Sequence, residues 1–435
     1  MPSEICPECN QYNVYRWCKP CNSKHFQNGF NNWTSGNDKI DKFIQDAQLN
    51  ANYWLEVIEW IPYDRFKDVK QIGKGGFGTI HYAMWIDGRI KEWDIENQQL
   101  RRYGKIEVAL KKFDNFVNFN DVLNEMAIHL KICAQYSSIE FYGITQDPET
   151  HSYMMVLQYA KDGNLREYLK INFNNINWNQ KLLNLCCLST RLMSIHELGI
   201  VHQDFHPGNI LSSNFTFSSL IKISDFGLSK LMGMGTNPNN PEKKNIFGVL
   251  PYIAPEVLSG DEENTRAADV YSFGIIAFEI ATGFPPYPDI PHDNDLALKI
   301  CNGLRPKIPF HTPKLITRTI MRCWDARVSH RPTFKELNYE LHKYWNYCND
   351  KDSKIRIQIE NSEEFSANQE STNTTTTTPL NYQTHPQAIY TSRLLNFSKL
   401  PKPKNEKNFE RELEELTKST SALSIVASKL YVPDF

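Results

Sequence analysis

Apolar positions recur with two different periods along this 435-residue chain, and the change of period divides it into elements. Thr79 to Trp85 (Thr-Ile-His-Tyr-Ala-Met-Trp) is dense in β-branched and aromatic residues and predicts a strand. Val108-Ala109-Leu110-Lys111 predicts another, and Tyr153 to Ala160 (Tyr-Met-Met-Val-Leu-Gln-Tyr-Ala) a buried one. Phe119 to Ile128 changes to helical spacing, with Val122, Met126 and then His129 on one side. Trp178 to Leu198 predicts a long helix with Leu182, Leu183, Leu185 and Met193 mostly buried. Asp38 to Trp60 predicts a helix leading into the first strand. Between the strands, polar Asp87 to Lys105, with Trp93 and Arg101-Arg102, predicts an extended hairpin inserted at the surface.

After about Lys351 the pattern decays. A threonine tract, Thr374 to Thr378, and the Pro/Lys-rich Leu400 to Lys404 lack the apolar content to fold alone, so residues 349–435 are expected to be largely disordered. Two apolar islands interrupt them, Ala388 to Leu400 and Phe409 to Leu430. In the second, Phe409, Leu413 and Leu416 have helical spacing and predict a short helix able to dock a partner. No apolar run reaches the roughly 18 residues of a membrane span. Phe273 to Phe278, the best candidate, is interrupted by Glu279, and no signal peptide is expected at the start of the chain. With 48 basic and 50 acidic residues the net charge is −2, which implies no bulk electrostatic partner.

Candidate chemistry begins at Ile72-Gly73-Lys74-Gly75-Gly76-Phe77-Gly78-Thr79-Ile80. Glycine is required where backbone amides must approach phosphate oxygens with no β-carbon in the way. Ordinary glycine turns and dinucleotide folds share this spacing. A dinucleotide site, however, needs a helix after the glycines, and here a strand follows. A Walker-type loop is excluded because Lys74 precedes Gly75 and not Ser or Thr. The glycines therefore predict a hairpin covering a nucleotide. Lys111 ends an apolar run and Glu125 lies on the helix that follows, each an unremarkable surface charge in isolation.

Downstream, Ile200-Val201-His202-Gln203-Asp204-Phe205-His206-Pro207-Gly208-Asn209-Ile210-Leu211 sets an aspartate five residues before an asparagine, and Asp225-Phe226-Gly227 adds a second aspartate. Three such oxygen-bearing groups suit the alignment of a hydroxyl with a magnesium-bound triphosphate. Together with Ala254-Pro255-Glu256, Asp269-Val270-Tyr271-Ser272-Phe273-Gly274 and Cys323-Trp324 through Arg331-Pro332-Thr333, these segments resemble the motifs of the eukaryotic protein kinases, tyrosine-kinase-like group, over roughly residues 66–348. The resemblance implies an α+β, two-lobed fold, with a small antiparallel-sheet lobe plus one helix and a larger, mainly helical lobe.

It also implies roles. Asp204 would orient the attacking hydroxyl, Asn209 and Asp225 would hold Mg2+, and Lys111, positioned by Glu125, would hold the triphosphate of ATP. The stretch Ile72 to Ile80 would cover the phosphates. Gln158, Tyr159 and Ala160 would meet the adenine edge through their backbone, with Leu157 behind. Asp269 would anchor the backbone of the catalytic loop, and Arg331 would pair with Glu256. The partners implied are protein substrates.

Three positions depart from the family pattern. Gln203 stands where an arginine usually binds an activation-segment phosphate, and Ser229, Thr236 and Tyr252 are the hydroxyls available in that segment. Activity with little dependence on phosphorylation there is expected. His206 replaces the lysine of serine/threonine kinases, and Val249 replaces the threonine near Ala-Pro-Glu. The Leu-Pro-Tyr-Ile-Ala-Pro-Glu wording leans towards Ser/Thr acceptors, with tyrosine or dual specificity and a non-transferring scaffold as the alternatives.

At the N-terminus, Cys6-Pro7-Glu8-Cys9 and Cys18-Lys19-Pro20-Cys21 form two Cys-x-x-Cys turns separated by eight residues. This spacing suits a structural zinc, and the alternatives are two disulfides or unrelated thiols. Trp17, Tyr12 and Tyr15 suggest a small core or a contact surface. Arg16, Lys19 and Lys24 are too few for a nucleic-acid track. The other cysteines, Cys133, Cys186, Cys187, Cys301, Cys323 and Cys348, are expected to be buried thiols in a reducing, cytoplasmic compartment. The resulting organisation is a four-cysteine, zinc-knuckle-like module at 1–25, a linker and helix at 26–65, the catalytic region at 66–348 and the tail at 349–435.

Overall fold

The computed structural model describes residues 4–13, 17–75, 78–113, 119–231, 246–261, 265–371, 384–397 and 400–428. Gly76, Phe77, Tyr15, Arg16, Thr236 and the tract Thr374 to Thr378 lie outside the described residues. The chain divides into two compact units, residues 1–161 with 222–227, and residues 162–221 with 228–435.

The first unit opens with a short hairpin, β1 (Glu4–Ile5) and β2 (Tyr12–Asn13), followed by helices α1 (Lys19–Gly29) and α2 (Asp38–Asn50). The Asn37 side chain caps α2 by accepting from the amides of Lys39 and Ile40, and Ile40, Ile44 and Gln48 form its buried stripe. The helix stops at Asn50, well short of the expected Trp60. Aromatic and β-branched residues take over there, and Glu59–Trp60 becomes a strand, β3.

A six-stranded sheet follows, built from β3, β4 (Phe66–Gly75), β5 (Gly78–Trp85), β8 (Ile106–Phe113), β9 (Phe141–Gln146) and β10 (Tyr153–Gln158), in the order β3-β9-β10-β8-β5-β4. Five strands pair antiparallel as expected, and β3 adds in parallel to β9. The inserted hairpin between β5 and β8 is formed by β6 (Ile90–Asp94) and β7 (Gln99–Arg102). Helix α3 (Phe119–Cys133) follows β8 and buries Val122, Met126 and His129, as its spacing predicts.

The N-terminal module is no detached bead. Trp17, Phe26, Ala51, Val57 and Ile90 form one buried cluster, and Leu100 of β7 packs on it. The Trp17 indole N–H donates to Ala51 O at 3.0 Å, and the His25 ring stacks on Trp93 with centroids 3.8 Å apart. Of the two readings left open for Trp17, small core or contact surface, the core is the one found, and the insertion is part of it.

The second unit is helical: α4 (Leu165–Asn172), α5 (Trp178–Glu197), α6 (Pro255–Ser259), α7 (Arg266–Thr282), α8 (Asn294–Cys301), α9 (Lys314–Cys323) and α10 (Phe334–Tyr347). Helix α7 has buried residues all around, so it is the axis of the unit. Helix α5 begins at an Asn177 cap and α10 at a Thr333–Glu336 capping box. Short strands β11 (Ile200–Val201) and β12 (Lys230–Leu231) pair with each other.

The expected short helix of the tail is α12 (Phe409–Ser428). Two further tail segments are structured. Helix α11 (Lys354–Ser371) buries Ile355, Ile359 and Ser362, whose hydroxyl accepts from the Trp178 indole at 3.0 Å. Strand β14 (Arg393–Leu395) pairs with β13 (Ile246–Gly248). Helix α11 has too little apolar surface for a core of its own and buries its few apolar residues beside Trp178 of α5, whereas β14 lies in the apolar island from Ala388 and is held by strand pairing. Cys133, Cys186, Cys301, Cys323 and Cys348 are buried as expected, and Cys187 is half-buried.

Candidate active site

In the first unit, β4 and β5 bring Gly73 opposite Ile80, Lys74 opposite Thr79 and Gly75 opposite Gly78. The described residues on either side of the glycine segment are thus paired strands, and the chain after Gly78 continues as strand and not helix, as its residues predict. A β-carbon on Gly78 would lie 2.1 Å from Lys112 O, so only glycine lets the returning strand approach β8 this closely. Ile72 is exposed, with Gly73, Thr79 and Ile80 partly so.

Lys111 is placed by its register in β8, between Ile80 of β5 and Met155 of β10. It is 5% exposed, and its Nζ donates to Glu125 Oε1 at 2.5 Å and to Asp225 Oδ1 at 3.0 Å. Burial alone would lower its pKa. The two carboxylates more than offset that and hold the ammonium firmly protonated. Glu125 reaches it from α3, where it is 4% exposed. Asp225 sits in a left-handed conformation, φ 61°. The next residue, Phe226, is buried with its ring centroid 5.3 Å from that of His129, which is itself pinned to Ile139 O through Nε2 at 2.9 Å. At the end of β10, Leu157 is buried and Gln158, Tyr159 and Ala160 are half-buried. The Gln158 N–H donates to Glu140 O at 2.9 Å.

In the second unit, Asp204 is nearly buried and Asn209 donates from Nδ2 to its backbone oxygen at 2.9 Å, so the two ends of the loop are tied. Asp269 of α7 anchors the start of the loop. Its carboxylate accepts the amide N–H of His202 at 2.9 Å and of Gln203 at 3.1 Å, and His196 Nε2 lies 2.8 Å away. Those bonds hold Gln203 at φ 69°, a conformation that disfavours any side chain beyond glycine. Burial pushes the Asp204 carboxyl up, but the His206 ring and a hydroxyl from Ser392 outweigh it and hold the group below the ordinary carboxylate range. Asp204 is therefore ionised at neutral pH.

Farther out, Arg331 forms a two-pronged pair with Glu256, at 2.6 and 2.7 Å, with its side chain fully enclosed. Of the hydroxyls after Asp225, Ser229 and Tyr252 are buried. Ser229 donates to His202 O at 3.1 Å and Tyr252 to the Glu279 carboxylate.

A separate arrangement occupies the N-terminal module. The sulfurs of Cys6, Cys9, Cys18 and Cys21 all lie within 4.8 Å of one another, with Cys6–Cys21 at 3.8 Å and Cys9–Cys18 at 3.5 Å. Four sulfurs at ~2.3 Å from a tetrahedral ion would be separated by ~3.8 Å, so the donor set and its spacing fit zinc.

The family model for protein tyrosine and serine/threonine kinases matches residues 66–341. The chain belongs to the protein kinase family. Relatives include the tyrosine-protein kinase SPK-1 of Girardia tigrina, 30% identical over 289 residues that cover 65% of this chain and 53% of that protein. The probable serine/threonine-protein kinase pats1 of Dictyostelium discoideum is 28% identical over 65% of this chain and 8% of its own length. The dual specificity protein kinase splA of the same organism is 29% identical over 65% and 12% respectively. The chain thus spans about half, or much less, of the curated relatives it matches. The family implies use of ATP and Mg2+ and protein substrates. No helix among the described residues is long and apolar enough to cross a membrane.

Within each unit of the kinase, the residues singled out from sequence converge: Lys111, Glu125 and Asp225 in the first, Asp204, Asn209 and Asp269 in the second. Sequence reading missed Ser392, which stands beside Asp204. The apolar island beginning at Ala388 was the only sign that this stretch is more than linker.

Proposed function

We propose that this kinase transfers the γ-phosphoryl group of ATP to serine and threonine hydroxyls of proteins. Asp204 receives or orients the hydroxyl proton. Lys111, held by Glu125, neutralises the triphosphate, and the hairpin from Ile72 to Ile80 encloses it. Asn209 and Asp225 would hold magnesium, which would supply charge neutralisation to the triphosphate. Gln158 to Ala160 meet the adenine. The catalytic domain spans 66–348, preceded by the four-cysteine module (1–25) and the segment 26–65 and followed by the tail.

One observation carries the acceptor class. A serine hydroxyl lies 2.5 Å from Asp204 Oδ2, so a backbone at that distance suits a side chain ending one atom beyond Cβ. A tyrosine there would drive its phenol past the carboxylate. The names of pats1 and other serine/threonine relatives agree, whereas that of SPK-1 points to tyrosine. Activation-segment phosphorylation is dispensable in this reading, since Ser229 and Tyr252 are buried and internally bonded and Gln203 offers no cation. Zinc in the four-cysteine site is structural, four thiolates leaving no open position. Thiolate–zinc binding and ATP use both suit a reducing, cytoplasmic location.

The test is a transfer assay on a mixed peptide library with Mg-ATP, comparing wild type with Asp204→Asn. Phosphoserine and phosphothreonine are expected from wild type, with transfer lost and Mg-ATP affinity kept in the variant. Phosphotyrosine alone would refute the acceptor class, and no transfer from wild type would make the chain a scaffold.

A further inference from the structure

Ser392 is the one hydroxyl-bearing side chain from a distant part of the chain bonded to Asp204 among the described residues, and its setting is built from several directions. Its Oγ donates to Asp204 Oδ2 at 2.5 Å, and His206 Nε2 lies 3.1 Å from the same Oγ. Gly208 N–H donates to His206 Nδ1 at 3.1 Å, so in the neutral ring the proton is on Nε2. His206 therefore donates to the Ser392 oxygen, and the serine proton is left to point at the carboxylate. One lone pair of Oγ is engaged, its proton is aimed at a base, and its second lone pair remains for attack.

The backbone around Ser392 is held as an added strand. Ile246 pairs with Leu395, Phe247 with Leu394 and Gly248 with Arg393, antiparallel, on the segment that precedes Ala254-Pro255-Glu256. Gly248 has φ 142°, and a β-carbon there would stand 3.4 Å from Asp204 Oδ1 and 3.1 Å from Ile253, so the pairing edge lies directly against the catalytic carboxylate. Leu395 is buried, as is Ala388 upstream. His292 clamps the approach: its N–H donates to Gln387 O at 2.9 Å, and its Nδ1 lies 2.9 Å from Ile389 O. Arg166, already bonded to Glu279 and Tyr252, donates to Tyr390 O at 3.0 Å and stacks 4.7 Å from the Tyr390 ring.

We propose that Ser392 is phosphorylated by its own chain, and that the segment carrying it holds the acceptor position until that reaction occurs. The inference rests on the kinase reading above. In the step, Ser392 Oγ forms a bond to the γ-phosphorus of ATP, and the bond from that phosphorus to the β–γ bridging oxygen breaks. ADP leaves with the electron pair, and the serine proton passes to Asp204. The product places a phosphate of about −2 charge against the Asp204 carboxylate. Like charges at this separation repel, so the strand leaves β13 and opens its edge to other substrates.

The experiment uses the full chain, pretreated with phosphatase that is then removed. It is incubated with Mg-ATP over a wide dilution range and followed by intact mass and phosphosite mapping, with library peptides as co-substrates. The expected result is one phosphate at Ser392 with a half-time unchanged by dilution, and a lag of equal length before peptide phosphorylation. Arg393→Ala combined with Leu395→Asp, which weakens the added strand, should abolish the lag. Active chain should leave Ser392 of an added Asp204→Asn chain unmodified. Peptide phosphorylation with Ser392 unmodified overturns this proposal and leaves the kinase reading standing. No transfer to either acceptor overturns both. A half-time that lengthens in proportion to dilution, or peptide transfer linear from mixing, also overturns it.

Discussion

Asp269→Asn tests the claim that one buried carboxylate sets the shape of the catalytic loop. The carboxylate is 1% exposed and receives three donors, His202 N, Gln203 N and His196 Nε2. An asparagine amide has one acceptor oxygen. Its best orientation keeps the oxygen towards His202 and His196, where Oδ2 stands now, and turns the NH2 group against the Gln203 N–H. One charge-assisted bond is then replaced by two facing donors, and the other two weaken to neutral strength. A bond to a charged group contributes about 1.5–3 kcal/mol, so a loss of about 3 kcal/mol in stability is expected. Gln203 would also lose the bond that keeps its φ at 69°, a conformation that costs roughly 1–2 kcal/mol, and its relaxation moves the adjacent Asp204. Misplacement equivalent to ~1.4–3 kcal/mol lowers turnover about 10- to 100-fold. Urea denaturation at unchanged m-value reads the first effect, and transfer rate at saturating ATP the second. A stability change within about 0.5 kcal/mol and turnover within about 3-fold of wild type would refute the argument.

Three further outcomes are expected. Arg331→Met leaves Glu256 buried without its counterpart and should destabilise by about 3–5 kcal/mol in chemical denaturation, while adding Glu256→Leu should recover part of that loss; a purely additive double variant would contradict the pairing. His129 is fully enclosed, and burial lowers its pKa to about 4 from an ordinary 6.5. The unfolded chain therefore takes up this proton first as pH falls. The His129 contribution to stability is complete above pH 6.5 and is lost between about 6.5 and 4, amounting to at most about 3 kcal/mol, and His129→Phe should flatten that part of the stability–pH curve. For the N-terminal module, native mass spectrometry should find one zinc per chain, with Cys21→Ser losing it and loosening the cluster around Trp17, read by tryptophan fluorescence. A metal-free wild-type chain with unchanged melting on zinc addition would contradict this.

Much of the fold was legible because its signals are local. The glycine hairpin declares itself through the residues that follow it, and α3 through the spacing of Val122, Met126 and His129. Asp204 and Asn209 stand five positions apart in one loop that the Asn209 side chain ties together, and the two Cys-x-x-Cys turns bring four sulfurs within 4.8 Å of one another. Helix length was less legible: apolar spacing ran past Asn50, and only pairing with β9 made Glu59–Trp60 a strand.

Sequence alone determined the family of this kinase, since each of its motifs is a short run of residues readable without the fold. Tertiary structure decided what meets those motifs. Ser392 and Asp204 lie 188 positions apart, and nothing in their neighbouring residues encodes that distance. The meeting depends on a strand register between 246–248 and 393–395 and on the Arg166 and His292 clamps. Likewise Trp17 joins Ile90 in a cluster because an inserted hairpin returns to the N-terminal module. Contacts of that kind arise from burying surfaces that no single segment can cover, so they become visible only when the folded chain closes over them.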